Sequence, residues 1–243
     1  MVGKPKTAEM HPGPGFRIRY EIERPDPAIV EAFGRFETPQ ISDLMNRLYT
    51  MAAEIRNLTD PSLRLVGPAC TVKVYPGDNL MVHKSLDVAQ PGDVIVVDTG
   101  ASGQTAALGD LVSMKARHRG IAGFVVDGMV RDIPGIIELG NFPVFARAVT
   151  PIGPLHRGPG EINHAVSVGG IVVQPGDVVV GDLNGVVVVP RDFAEELLDR
   201  LVARTAAEAD YTEAIRRGDF SNEWVDRILK ESAVPVVRVP GDL

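Results

Sequence analysis

Two hydrophobic periods divide the chain. Phe16, Ile18, Tyr20 and Ile22 alternate with charged neighbours, which is the period of a half-exposed strand. Asp26-Pro27 then offers an N-cap with proline at the first helical position, predicting a helix to Phe33. Thr38-Pro39 repeats the device and predicts a second helix over Gln40 to Met51. These two helices form an entrance layer. From Gly67 the texture changes to short apolar runs, CTVKVY, VIVV, GFVV, PVFA, GIVV, DVVV and VVVV. Runs of this length, separated by glycine and proline, read as buried strands.

Turn chemistry punctuates the strands. Pro76-Gly77-Asp78, Pro91-Gly92-Asp93 and Pro175-Gly176-Asp177 are turns, too unevenly spaced for a repeat, and Asn184-Gly185 between two valine runs signals a type I′ hairpin. Helical segments are predicted at Asn79 to Ala89, Asp110 to Arg119, Asp132 to Leu139 and Asp192 to Arg217. Strand and helix alternate first and strands then follow one another, which predicts a layered, mixed α/β sandwich rather than a pure doubly wound sheet. The Pro/Gly-rich residues 1–15 read as a mobile tail, 16–231 as a single domain and 232–243 as a C-terminal tail.

Composition narrows the partners. A net charge of −7 argues against a nucleic acid bound on a broad basic face. The lone Cys70 is expected to be a buried strand thiol, since it has no partner for an internal disulfide. The start MVGKPKTAEMHPGPG lacks the apolar segment of an export signal, and the longest apolar runs are strand-sized. No membrane association is expected, and the cytoplasm is the expected compartment.

The chemistry gathers at three residues. Asp110 follows the glycine-rich loop Gly100 to Gly109, and twenty residues separate it from the pair Arg131-Asp132. Carboxylates hold hard divalent ions directly or through water. A guanidinium gives a flat charged fork for a carboxylate or enolate oxygen, and the loop's N–H groups serve a second anionic oxygen. Each residue has a plainer reading, because Asp110 and Asp132 are also placed to cap helices and arginine is commonly a surface ion-pair partner. Their joint position beyond strand ends and at helix N-termini favours an anion and metal site.

These residues, with TPQISD, PGDNLMVHKSL, PGDVIVVDTGASGQTAALGD, RGIAGFVVDGMVRD, PVFARAVTPIGP and VQPGDVVVGDLNGVVVVP, resemble the RraA-like family, which includes the class II 4-hydroxy-4-methyl-2-oxoglutarate aldolases. The resemblance covers about residues 26–218. It implies a three-layer β/β/α swivelling-domain-like fold with mixed sheets, in trimers or hexamers with sites between subunits. It further implies Asp132 at a Mg²⁺ or Mn²⁺ ion, Asp110 holding water on that ion, and Arg131 on the carboxylate and enolate oxygens of a small 2-oxo acid. Gly109, Asp110 and Leu111 would complete the substrate-binding strip. An acidic residue from the neighbouring subunit's C-terminal helix is expected, Glu208 ahead of Glu213. The implied reaction is retro-aldol cleavage to pyruvate, or decarboxylation of oxaloacetate, with no Schiff base. The rival reading is a non-catalytic regulator that masks a ribonuclease, which other members of the family are.

Other polar residues receive plainer assignments. Asn184 stands where many relatives have aspartate, so the turn is not claimed as a metal site. Lys115 is read as a solvated helix residue and His83 as a packed or hydrogen-bonded one, with His118 and His164 weaker still and His11 and His156 lacking metal spacing. GASGQTAALG does not have dinucleotide-fingerprint spacing, and the residues lend no support to a methyltransferase.

Overall fold

A computed structural model describes Gly3 and residues 9–234. Part of the expected N-terminal tail (1–2 and 4–8) and the C-terminal tail from 235 onward lie outside the described residues. The chain divides into two units, one up to Leu201 and one from Val202.

A mixed sheet runs through the first unit. Its order is β1 (Phe16–Ile18), β7 (Gly160–Ile162), β3 (Leu65–Val74), β4 (Val94–Asp98), β5 (Gly123–Val130), β6 (Val144–Val149) and β2 (Arg56–Asn57). Strands β3 to β6 are mutually parallel, while β7 and β2 join antiparallel at either side. The long strand β3 serves two partners. Its first half, Leu65 to Pro68, pairs antiparallel with β10 (Val178–Asp182), and its second half, from Ala69, pairs parallel with β4. Strand β10 pairs in turn with β11 (Gly185–Val189), and β8 (Val166–Val168) with β9 (Ile171–Val173).

Three apolar clusters fill the layers. Helices α3 (Leu80–Ser85), α4 (Asp110–His118) and α5 (Ile133–Ile137) bury Met81, Val82, Val112, Ala116 and Ile136 against one face of the parallel strands. The other face packs Val94, Val96 and Val125 on Val166, Val173, Val179 and Val188. Beyond the β10–β11 hairpin, α1 (Pro27–Phe33), α2 (Thr38–Leu44) and the start of α6 (Ala194–Arg216) add Val30, Phe33, Ile41 and Leu197. The architecture is therefore mixed α/β with helices, sheet and hairpin layered as the apolar runs required. Because β4 and β5 are covered on both faces, their valines run without polar interruption.

Several local expectations change in the fold. The alternation over Phe16 to Ile22 yields only the three-residue β1, the length over which β7 offers a partner. The second helix stops at Leu44 instead of reaching Met51. Asn46 and Arg47 take left-handed φ values of 55° and 65°, and the chain then pairs with β11 through Met51 N–H to Val186 O at 2.9 Å and Val188 N–H to Tyr49 O at 3.0 Å. A sheet edge needing partners outcompeted helix propagation. The third helix is likewise shorter than Asn79 to Ala89. The hairpin forms, but not as type I′: Asp182 pairs with Gly185, so Leu183-Asn184 is the turn and neither has positive φ. Asp182 Oδ1 accepts from Asn184 N–H at 2.8 Å and Gly185, at φ 136°, takes the irregular position.

In the second unit, α6 continues to Arg216 and α7 spans Glu223–Glu231. Helix α7 was not anticipated, although Trp224, Val225, Ile228 and Leu229 sit at helical spacing. Among the described residues no helix is long and apolar enough to cross a membrane.

Candidate active site

The twenty-residue gap between Asp110 and Arg131 is closed by backbone pairing. Loop residues Ala106 to Leu108 run beside the end of β5: Ala106 bridges Met129, Ala107 N–H donates to Met129 O at 2.8 Å, and Arg131 N–H donates to Leu108 O at 3.0 Å. Strand β5 carries a register shift between Val126 and Met129, just before this pairing. Gly109-Asp110 and Arg131-Asp132 consequently lie side by side at the start of α4 and α5. They line a cavity of about 320 Å³ with Asn79, His83, Leu111, Gly153 and His156.

Neither aspartate behaves as a simple helix cap. Gly109 occupies the N-cap of α4, so Asp110 is the first residue of the helix, and its Oδ1 accepts from Leu111 N–H at 2.7 Å. Asp132 does stand at the N-cap of α5, yet its backbone is left-handed at φ 57° and its side chain makes no capping bond. A non-glycine residue held there is strained by about 1–3 kcal/mol, a pattern that clusters at functional sites. Its Oδ2 instead lies 3.2 Å from Arg131 Nε, and both side chains are about 40% exposed, at 41% and 43%. Water screening makes such a pair a weak source of stability.

Three glycines keep space around these side chains. A Cβ on Gly109 would overlap Asp132 Oδ2, one on Gly135 would sit 2.9 Å from Asp110 Oδ2, and one on Gly153 would sit 2.6 Å from Arg131 Nη1. Asp110 and Asp132 offer oxygen donors, although among the described residues no three His, Cys, Asp or Glu side chains converge as a metal cluster. Two carboxylates with water suit a hard ion such as Mg²⁺, which keeps several waters, and not a closed zinc site. The residues thus fit the ion that the motif implied.

Two histidines that sequence reasoning set aside also line the cavity. His156 Nδ1 is 2.6 Å from Asn79 Oδ1, and its ring meets His83 edge-on at 5.4 Å between centroids. Burial pulls the His83 pKa below its ordinary value, helped by the neighbouring His156 and Lys115. No metal spacing marks these residues, and only Asn79, at the N-cap of α3, and His83, four residues on, left a readable signal. Glu208 belongs to the second unit, where Arg204 Nε donates to it at 2.6 Å within α6. Glu213 pairs there with Arg216 and Arg217.

A larger cavity, about 690 Å³, opens between α1 and the Gln90 to Asp93 turn. Its guanidinium, Arg24, is held bidentate by Asp93 at 2.8 and 2.7 Å, so it offers no comparable convergence of available charge.

The RraA-like family, described as Aldolase/RraA, matches residues 38–188, and the chain belongs to that family. A protein from Halalkalibacterium halodurans bearing the provisional name 4-hydroxy-4-methyl-2-oxoglutarate aldolase is 40% identical over 186 residues, covering 76% of this chain and 88% of that one. A solved protein from Pseudomonas syringae pv. tomato superposes with a TM-score of 0.72 at 28% identity, covering 82% of this chain and 97% of that one. A Streptomyces coelicolor structure, described as an unusual member of the RNase ES inhibitor RraA protein family, gives 0.68 at 31% identity over 81% of this chain and 99% of that one.

Proposed function

We propose that the protein is a metal-dependent carbon–carbon lyase that releases pyruvate from 4-hydroxy-2-oxo acids, such as 4-hydroxy-4-methyl-2-oxoglutarate, and decarboxylates oxaloacetate. The observation that carries this reading is the meeting of Arg131, Asp110 and Asp132 at one small cavity. Asp132 and Asp110 would hold Mg²⁺ or Mn²⁺, the second partly through water. When bound, such an ion polarises the substrate's 2-oxo group. Arg131 keeps its charge at any working pH and donates in a fork, which suits the carboxylate and the adjacent oxygen. That oxygen gains negative charge as the bond to C4 breaks, so the contact strengthens in the transition state. Gly109, Asp110 and Leu111 form the backbone strip beneath the carboxylate. Because Leu111 N–H already donates to Asp110 Oδ1, a substrate oxygen binding there must displace that carboxylate.

The working enzyme on this reading is a homotrimer or hexamer, in which Glu208 of a neighbouring copy reaches the site, with Glu213 as the alternative. The test is pyruvate release from a panel of 4-hydroxy-2-oxo acids and oxaloacetate, with Mg²⁺, with Mn²⁺ and with chelator. Full turnover in excess chelator removes the metal from the proposal. A second reading, a non-catalytic regulator of a ribonuclease, draws on the likeness to the Streptomyces structure. It moves ahead if no substrate in the panel releases pyruvate under any metal condition.

A further inference from the structure

Retro-aldol cleavage requires a proton to leave the C4 hydroxyl, and the lining of the cavity restricts what can take it. Of the ionisable side chains there, Arg131 is never a base at working pH. Asp110 and Asp132 are assigned to the ion, and Asp110 already accepts from Leu111. Of this chain's own lining the two histidines remain, beside any water on the ion and the acidic residue assigned to a neighbouring copy, and their settings differ. Asn79 is 2% exposed. Its Nδ2 donates to Ala107 O at 2.8 Å, which fixes the amide so that Oδ1 faces His156 Nδ1 at 2.6 Å. A carbonyl oxygen only accepts, so the proton of a neutral His156 is on Nδ1, and Nε2 carries a lone pair.

The backbone around His156 is pinned as well. Leu155 N–H donates to Gly77 O at 2.8 Å, Asn79 N–H to Leu155 O at 2.9 Å, and Arg157 N–H to Asp78 Oδ2 at 2.6 Å. The ring is therefore held between two stitched positions, with His83 against it. This is the arrangement of a base oriented by a second residue, with an amide in place of the usual carboxylate.

Resting on the lyase reading above, we propose that His156 is the proton acceptor for the C4 hydroxyl and Asn79 its positioning residue. Nε2 takes the hydroxyl proton, and the O–H electron pair becomes the second bond of the new C4 carbonyl. The C3–C4 pair shifts to form the C2–C3 double bond, with the charge on the C2 oxygen beside Arg131. The imidazolium then returns its proton to C3, giving the methyl group of pyruvate and a neutral ring. Decarboxylation of oxaloacetate has no hydroxyl to deprotonate, and water can protonate C3, so the two reactions separate the role.

The experiment compares wild-type protein with His156→Gln on 4-hydroxy-4-methyl-2-oxoglutarate and on oxaloacetate, both saturated with Mg²⁺. The expected result is a loss of ~10²-fold or more in kcat for cleavage and a far smaller loss for decarboxylation. Equal losses on both substrates, or intact cleavage, overturn the acceptor role while leaving the lyase reading in place. A wild-type protein that splits neither substrate overturns the lyase reading itself and the acceptor role with it. A readout independent of turnover is the ¹⁵N spectrum of the neutral ring. The proton must appear on Nδ1 of His156, and its appearance on Nε2 also sinks the proposal.

Discussion

Two clusters of aspartate and arginine lie near the carboxyl ends of the parallel strands, and they are built to opposite ends. In the first, Asp98 and Asp127 are neighbours across β4 and β5 and are 4% and 5% exposed. Asp98 accepts from Lys73 Nζ at 3.3 Å and Gly100 N–H at 2.8 Å. Asp127 is paired with Arg147 Nε and accepts from Gly169 N–H at 2.7 Å. Every strong acceptor has a partner in the chain, and the ladder ties the β8–β9 hairpin to the sheet. In the second, Arg131 and Asp132 face a cavity, their half-exposed side chains paired only with each other at 3.2 Å among the contacts named above, and Asp132 has a left-handed backbone. The same residue types thus lock structure where buried partners satisfy them, and stay half-exposed at the cavity that the proposed function assigns to substrate and ion.

The largest expected effect that would break this contrast is at Arg131. Arg131→Ala should fold and keep its assembly while kcat for pyruvate release falls ~10²–10³-fold, and lysine should not rescue it, since a point charge cannot reproduce the fork. Near-wild-type kcat/KM in the alanine variant would place Arg131 with the surface ion pairs. Asp127→Ala should do the reverse. Arg147 keeps Glu54 at 3.9 Å, but the buried Gly169 N–H loses its acceptor at a cost of ~1–3 kcal/mol, so urea unfolding should show a lower midpoint, with per-molecule activity retained below it.

Space around the cluster gives a finer test. Gly109→Ala would press on Asp132 Oδ2 and on the Cγ and Nε of Arg131 together, whereas Gly153→Ala would meet only the far end of Arg131. Overpacking costs ~1–3 kcal/mol where neighbours cannot yield. Metal titration by calorimetry should accordingly show weaker binding for Gly109→Ala than for Gly153→Ala, and equal affinities would remove the steric argument.

The smallest effect is a pH dependence at His83. Its folded pKa lies below the ordinary value, for burial first and then His156 and Lys115. The fold therefore favours the neutral ring: this stabilisation is present above the unfolded pKa near 6.5 and is lost as pH falls through the folded pKa. Partial exposure keeps it small. Thermal melts between pH 7 and 5 should show a slightly shallower decline for His83→Gln, and an unchanged slope would assign the acid sensitivity elsewhere.

What the chain determined by itself was periodic or strictly local. Runs such as VIVV and GFVV announced covered strands because burial on both faces removes the need for polar alternation. Asp26-Pro27 announced α1 because a cap acts within one turn, and Asp26 Oδ1 does accept from Ala28 N–H at 2.8 Å. Asp110 and Arg131-Asp132 stood out by their joint position, after a glycine-rich loop and at the exit of a strand-like run, and by the family spacing they resemble. The tertiary structure decided everything that depends on residues distant in sequence. Helix α2 ended early because the edge of β11 needed Tyr49 and Met51. His156 entered the cavity because Gly77 to Asn79 stitched the Leu155 to Arg157 segment alongside α3. A hydrogen bond between residues 77 apart leaves no period and no motif in the chain. Only the packing of the β5, α3 and α4 ends could bring that imidazole to the site.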